Sequence, residues 1–324
     1  MIEVPKITVK DLQEWSKMDE VFTSGHRLCA GCGAGIMARQ VTLAAKALGD
    51  PFMLVNATGC LEVASTIYPY TAWRAPWLHN AFENAAATAS GAIEAMKAMQ
   101  KKGLIREREV NMIVFGGDGG TYDIGIQALS GAIERDHDFL YVCYNNGAYM
   151  NTGIQRSGGT PQCAATTTSP PGTVIPGKIN WQKPLAEIMA SHDIPTFTAS
   201  PAYPRDLMAK VQAGLKHEGP AFMLVDSPCN LGQRYTPDQS IEVAKLAVKT
   251  CFFPLYSTYK DDWTLTEVSL RLAKNPERKL PVEDYLKVQG RFRHLFKPEW
   301  KSKLVEIQET VDERWERLLK KTGF

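Results

Sequence analysis

The chain has 324 residues and no stretch near the length of about 18 consecutive apolar residues that a membrane span requires. It has no run of about five like charges, and its formal net charge is only +2, so a nucleic-acid-binding surface is not expected. Internal repeats and low-complexity tracts are absent, which excludes solenoid and linker-like organisation. Residues 1–22 are mixed and charged without an apolar leader core, so a cytoplasmic location is expected. There, seven cysteines point to metal ligation, redox chemistry or burial rather than disulfides. A second CxxC pair is missing, as is a tandem CxxCxxC run. The first absence disfavours a zinc ribbon, and the second excludes a ferredoxin-like segment.

What is present has the rhythm of an α/β protein. Apolar runs at residues 52–56, 111–115, 139–144, 195–198 and 221–225 read as buried strands. Helical patterns separate them at 36–48, 83–101, 124–135, 184–191 and 205–216. The alternation predicts a doubly wound parallel sheet covered on both faces. Residues 1–251 are expected to form this domain. Residues 252–324 are expected to form a C-terminal arm that packs on the core or clasps a partner. Its last helix carries Leu304, Ile307, Val311, Trp315 and Leu318 on one stripe. The Gly-, Pro-, Ser- and Thr-rich stretch 155–178 reads as a long functional loop.

Two constellations carry chemistry. Cys29 and Cys32 share a CxxC turn, while Cys60 follows Gly59 and Cys229 follows Pro228. Small and turn-forming neighbours let backbone N–H groups approach a metal–thiolate centre. On spacing alone, Cys29 and Cys32 could equally open a zinc site. Gly117-Asp118-Gly119-Gly120-Thr121 follows one strand, and Asn145-Asn146 ends the next. Asp118 offers a hard oxygen ligand for Mg²⁺, Asn146 an amide oxygen, and the glycines a backbone that phosphate can approach. The pair matches a thiamine-diphosphate motif. Cys143 and Cys251 read as core packing and Cys163 as incidental. Glu62 and Glu83 suit cap or interface roles, Trp73 and Trp77 suit packing, and His26 suits a hydrogen bond near the cysteines.

With both constellations in place, the chain resembles the beta subunit of the multi-subunit 2-oxoacid:ferredoxin oxidoreductases. The likeness runs through His26–Gly33, Ala57–Val63, Tyr68–Trp73, His79–Asn84, Gly116–Gly125, Ala148–Gly153 and Gln289–Phe292. It implies a thiamine-diphosphate-binding fold of the diphosphate type. It also implies a [4Fe–4S] cluster on Cys29, Cys32, Cys60 and Cys229, and Mg²⁺ on Asp118, Asn146 and the carbonyl of Ala148. Gly117, Gly119, Gly120 and Thr121 would hold the diphosphate, Gly59 and His79 would lie close to the cofactor, and Asn151 would bond the substrate. The implied reaction is CoA-dependent oxidative decarboxylation with ferredoxin as acceptor. Pyruvate is the expected 2-oxoacid, with oxalate or a branched-chain 2-oxoacid as alternatives. The implied partners are an alpha subunit that binds the pyrimidine ring, and gamma and delta subunits, one of them ferredoxin-like. Gly147 departs from the pattern, since the family usually carries an acidic residue there. Two readings of other classes stay open at this point: half of a non-redox thiamine enzyme, and a zinc-stabilised scaffold subunit.

Overall fold

The computed structural model describes residues 2–106 and 109–324. Its strands are β1 (Phe52–Ala57), β2 (Trp77–Asn80), β3 (Asn111–Gly117), β4 (Leu140–Asn145), β5 (Thr196–Ala199), β6 (Ala221–Asp226), β7 (Tyr256–Tyr259) and β8 (Asp262–Leu265). They form one sheet in the order β2-β1-β3-β4-β6-β5-β7-β8. Every pairing from β2 to β5 is parallel, as the sequence pattern predicts. The doubly wound parallel sheet carries an antiparallel edge, made by β7 and β8. They come from residues assigned to the C-terminal arm. Their aromatic and β-branched residues flank a two-residue turn, Lys260-Asp261, with Lys260 at φ 55°. A tight hairpin of this kind can add to a sheet edge without a crossover helix.

The pleat of each strand sorts the core into two layers. On β3, Met112 and Val114 point into one cluster, while Ile113 and Phe115 point into the other. The second layer is closed by the helices Gly33–Lys46 and Pro204–Leu215, through Met37, Val41, Leu207 and Val211. The first is closed by the helices Ala85–Lys101 and Ile126–Glu134 and by the terminal helix Lys301–Lys321. Ile307, Val311, Trp315 and Leu318 of that last helix are buried in this layer, and Leu304 packs against it. No helix among the described residues is long and apolar enough to cross a membrane.

One buried charge ties the antiparallel edge to the rest. Lys210 is fully buried, and its Nζ donates to Asp206 at 2.6 Å, to the Thr198 carbonyl at 2.9 Å and to Thr266 Oγ1 at 2.7 Å. These bonds join a helix, β5 and the residue after β8. Lys210→Met should strand the Asp206 carboxylate and cost about 3–5 kcal/mol in denaturant unfolding. Adding Asp206→Asn should recover most of that loss. A single-variant loss under about 1 kcal/mol would show that the pair contributes little.

Candidate functional site

All the sequence-derived site residues except the CxxC pair and the Ala148–Asn151 segment lie at or just after the carboxyl ends of strands. Gly59 and Cys60 follow β1, His79 sits on β2, Asp118 follows β3, Asn146 follows β4 and Cys229 follows β6. These five strands are consecutive in the sheet. Their loops therefore meet at one edge, where parallel α/β sheets place their ligands.

The loop after β3 runs straight into a π-helical turn, Gly119–Ile124, closed by a bond from Gly125 N–H to the Gly120 carbonyl at 2.7 Å. The sequence pattern places a helix start at residue 124. The tighter-packed glycines begin winding it earlier, and π turns concentrate at functional sites. A cleft lies above this turn, lined by Thr58, Gly59, Cys60, Gly117–Gly120, Asn146, Ala148, Tyr149 and Asn151, among others.

Asp118 has no solvent exposure. Burial pushes its carboxyl up to about 7, against the pull of hydrogen bonds from the Ser157 hydroxyl and the Asn146 N–H, the latter at 3.3 Å. A buried carboxylate whose partners are neutral donors rather than a contacting cation is the arrangement that a bound metal would relieve. The Asn146 side-chain oxygen accepts from Ala148 N–H at 3.3 Å, which leaves its second lone pair for a metal. Carboxylate, amide and carbonyl oxygens make a hard donor set that fits Mg²⁺. The Thr121 hydroxyl points inward, donating to the Gly117 carbonyl at 2.8 Å and meeting Tyr141 Oη at 3.0 Å. Only its backbone is left to face a phosphate.

The cysteine loops meet on the same side. The Gly33 N–H donates to the Pro228 carbonyl at 2.9 Å, joining the CxxC turn to the Cys229 loop backbone to backbone. Cys60 opens the helix Cys60–Ser65, and Cys229 caps the turn Asn230–Gln233 by accepting from Gly232 N–H at 3.5 Å. Burial first, then the nearby thiols of Cys229, Cys32 and Cys29 and the Asp118 charge, push the Cys60 thiol up to about 12. Four mutually interacting soft sulfur donors fit an iron–sulfur group chemically. Among the described residues, however, no group of three or more His, Cys, Asp or Glu side chains is drawn together tightly enough to hold a metal ion.

His79 stands half exposed at the lip of the site. Its Nε2 lies 3.1 Å from Thr58 Oγ1 and 3.5 Å from Glu62 Oε2, and its ring stacks on Trp77 at 5.9 Å. Glu62 is thus a buried partner of His79, and Trp73 is packed between Phe22 and Phe115. His26 stacks on Phe22 at 4.8 Å. Cys143, Cys163 and Cys251 are all buried.

Gly147 has a backbone explanation. Its φ is +81°, and a Cβ there would lie 2.6 Å from Arg291 Nη1. The nearest group is the buried guanidinium of Arg291, from the Gln289–Phe292 segment, which is the movable end of a side chain, so it is the left-handed backbone that favours glycine here.

Three contributors are not evident from sequence. Ser157 reaches Asp118 from the buried first part of the long loop, which is held by Lys178 Nζ donating to the Thr160 carbonyl at 2.5 Å. Tyr149 donates to the Gly119 carbonyl at 2.7 Å. Gln233 donates to the Asn146 carbonyl at 3.2 Å. The Ser157 loop looks structureless in sequence, and Gln233 is one polar residue in a four-residue turn.

Comparison with known proteins agrees with this geometry. The family of thiamine pyrophosphate enzymes, C-terminal TPP binding domain, matches residues 57–225. Pyruvate synthase subunit PorB of Thermotoga maritima is 49% identical over 97% of this chain and 96% of its own length. The subunit of the same name from Methanocaldococcus jannaschii is 50% identical over 91% and 95%. Ketoisovalerate oxidoreductase subunit VorB of Pyrococcus furiosus is 40% identical over 93% of each chain. A solved 2-oxoglutarate:ferredoxin oxidoreductase from Magnetococcus marinus shares the fold, with a TM-score of 0.55 at 19% identity, covering 86% of this chain and 95% of that one. The chain belongs to the pyruvate synthase PorB subunit family, built on the thiamine pyrophosphate-binding α/β fold.

Proposed function

We propose that this chain is the subunit of a cytoplasmic pyruvate:ferredoxin oxidoreductase that holds thiamine diphosphate, Mg²⁺ and one [4Fe–4S] cluster. The complex would convert pyruvate and CoA reversibly to acetyl-CoA and CO₂, with electrons leaving to ferredoxin. The observation that carries this reading is the convergence of Cys60, Asp118, Asn146 and Cys229 on one sheet edge, Cys60 and Asp118 lining the same cleft. When bound, thiamine diphosphate supplies a nucleophilic carbon for 2-oxoacid cleavage and the cluster supplies a one-electron acceptor.

The residues of this chain bind and position. Asp118, the side chain of Asn146 and the carbonyl of Ala148 would hold Mg²⁺, and the backbone of Gly119–Thr121 would hold the diphosphate. Cys29, Cys32, Cys60 and Cys229 would hold the cluster. Asn151, on the cleft wall, would bond the substrate. Tyr149 steadies that wall through Gly119, and Ser157 holds Asp118 from behind.

Asp118 is the one carboxylate among the described residues lining the cleft. The carboxylate that must engage the pyrimidine ring would then come from an alpha subunit, and the outer electron carriers from gamma and delta subunits. The likeness to a ketoisovalerate subunit keeps branched-chain 2-oxoacids as the second reading. Co-purification of the complex under anaerobic conditions, followed by ferredoxin reduction assays with pyruvate, 2-ketoisovalerate and oxalate, tests the reading. Pyruvate should be turned over fastest by the complex and not at all by this chain alone. A preference for another acid overturns the substrate assignment, and turnover by the lone chain overturns the subunit division.

A further inference from the structure

The turn Asn230–Gln233 touches both halves of the site. Its first residue follows Cys229, and the Gln233 N–H returns to the Cys229 carbonyl at 2.9 Å. Gly232 N–H points at the Cys229 sulfur at 3.5 Å. At the other end, Gln233 is 2% exposed and its Nε2 donates to the Asn146 carbonyl at 3.2 Å. Its Oε1 is buried with no hydrogen-bond partner, so one bond fixes the whole amide. The Asn146 N–H in turn donates to Asp118 Oδ1 at 3.3 Å. Between the two ends, Met150 packs on Gly232 so closely that a Cβ there would lie 2.1 Å from its sulfur. Met150 also lines the cleft.

A contiguous series therefore runs from Cys229 through Gln233 and Asn146 to Asp118, with a second contact through Met150. The turn is too short to bend internally without breaking the bond that closes it. A shift of Cys229 onto a bound group must move the Gln233 amide, and with it the backbone of Asn146.

We propose that the Asn230–Gln233 turn couples the cysteine site to the diphosphate–metal site, with Gln233 as the positioning residue that transmits the coupling. Filling either site raises the affinity of the other by the same factor, as linkage requires. This rests on the reading that Cys229 ligates a cluster and that Asp118 and Asn146 hold the metal. The bond from Gln233 is to a main-chain carbonyl, so any chemical effect on Asn146 acts through loop position rather than through ligand identity.

The test is a mutant cycle read as thiamine diphosphate affinity in the assembled complex, measured by fluorescence quenching with Mg²⁺ in excess. Cys229→Ser and Gln233→Met should each weaken binding at least about fivefold, and the double variant should be no weaker than the worse single. Gln233→Leu also removes the donor without adding a charge, so it should behave like Gln233→Met. It also serves as the working variant if Gln233→Met fails to assemble. Leu231→Ala, on the same turn but with a 62% exposed side chain, should leave affinity unchanged. EPR of the same samples separates the two failures. An unchanged cluster signal in Cys229→Ser overturns the ligand reading. Loss of that signal with unchanged cofactor affinity in the Gln233 variants, or with additive losses in the double variant, overturns the coupling.

Discussion

Asp118→Ala should yield a complex that assembles but retains neither Mg²⁺ nor thiamine diphosphate, with cofactor affinity reduced at least about 100-fold. Losing a partner that merely orients a metal ligand already costs about 10- to 100-fold, so losing the charged ligand itself should cost no less. Metal analysis and thiochrome fluorescence of the purified complex measure both contents, and wild-type cofactor content in the variant would exclude the assigned role. Asp118→Asn sharpens the experiment. Burial holds the carboxyl near 7 against an ordinary 3.8, so the cofactor-free fold loses stability as pH rises from about 4 towards 7. At pH 8 the whole penalty is present. An asparagine carries none of it and can keep the contacts to Ser157 and Asn146. Asp118→Asn should therefore raise the unfolding midpoint of the cofactor-free complex at pH 8 while abolishing cofactor binding. A lower midpoint would mean that the carboxylate is compensated within the fold, and that its burial says nothing about a metal.

Cys229→Ser should bleach or convert the cluster in the anaerobically purified complex, with loss of about one to four iron atoms per copy of this chain and a changed EPR signal. Serine keeps the size and the backbone of the turn, so assembly should persist. The cluster should be lost or converted to a form with fewer irons, because Cys29 and Cys32 sit on a turn bonded to the Cys229 loop and Cys60 opens a helix after another strand, so only three of the four thiols remain. Zinc in the wild-type protein, with no visible chromophore near 400 nm, would instead favour the structural-zinc reading. Burial holds Cys32, Cys60 and Cys229 above the ordinary thiol range, so the metal-free protein keeps them as neutral thiols and metal binding must release their protons.

The sequence discloses the parallel part of the fold through apolar runs that end abruptly in glycine or asparagine. The run 111–115 is one example, becoming β3 and stopping at Gly117 and Asp118. It does not disclose β2, β7 and β8, which are four residues each and carry little apolar signal. Trp77–Asn80 is half exposed, and its strand character comes from pairing with β1 rather than from its own residues. The same contrast holds at the site. Asp118, Asn146 and the cysteines announce themselves by residue type and flanking glycines. Ser157, Tyr149 and Gln233 are ordinary polar residues, and only the path of the chain makes them neighbours of the site. Gly147 shows the reverse case: its departure from the family pattern reads as a question about substrate, and the structure gives it a backbone reason, a φ of +81° that glycine adopts without strain.

The hairpin that closes the sheet has a consequence for biosynthesis. β5 is interior only because β7 lies beside it, and β7 leaves the ribosome after every parallel strand has been made. Until then, Thr196–Ala199 presents a row of unpaired backbone groups at the rim of a finished parallel sheet, open to a neighbouring nascent chain. Interrupted translation or clipping ahead of residue 256 would leave that rim bare. The last-made strands therefore shield a rim that the earlier ones leave open.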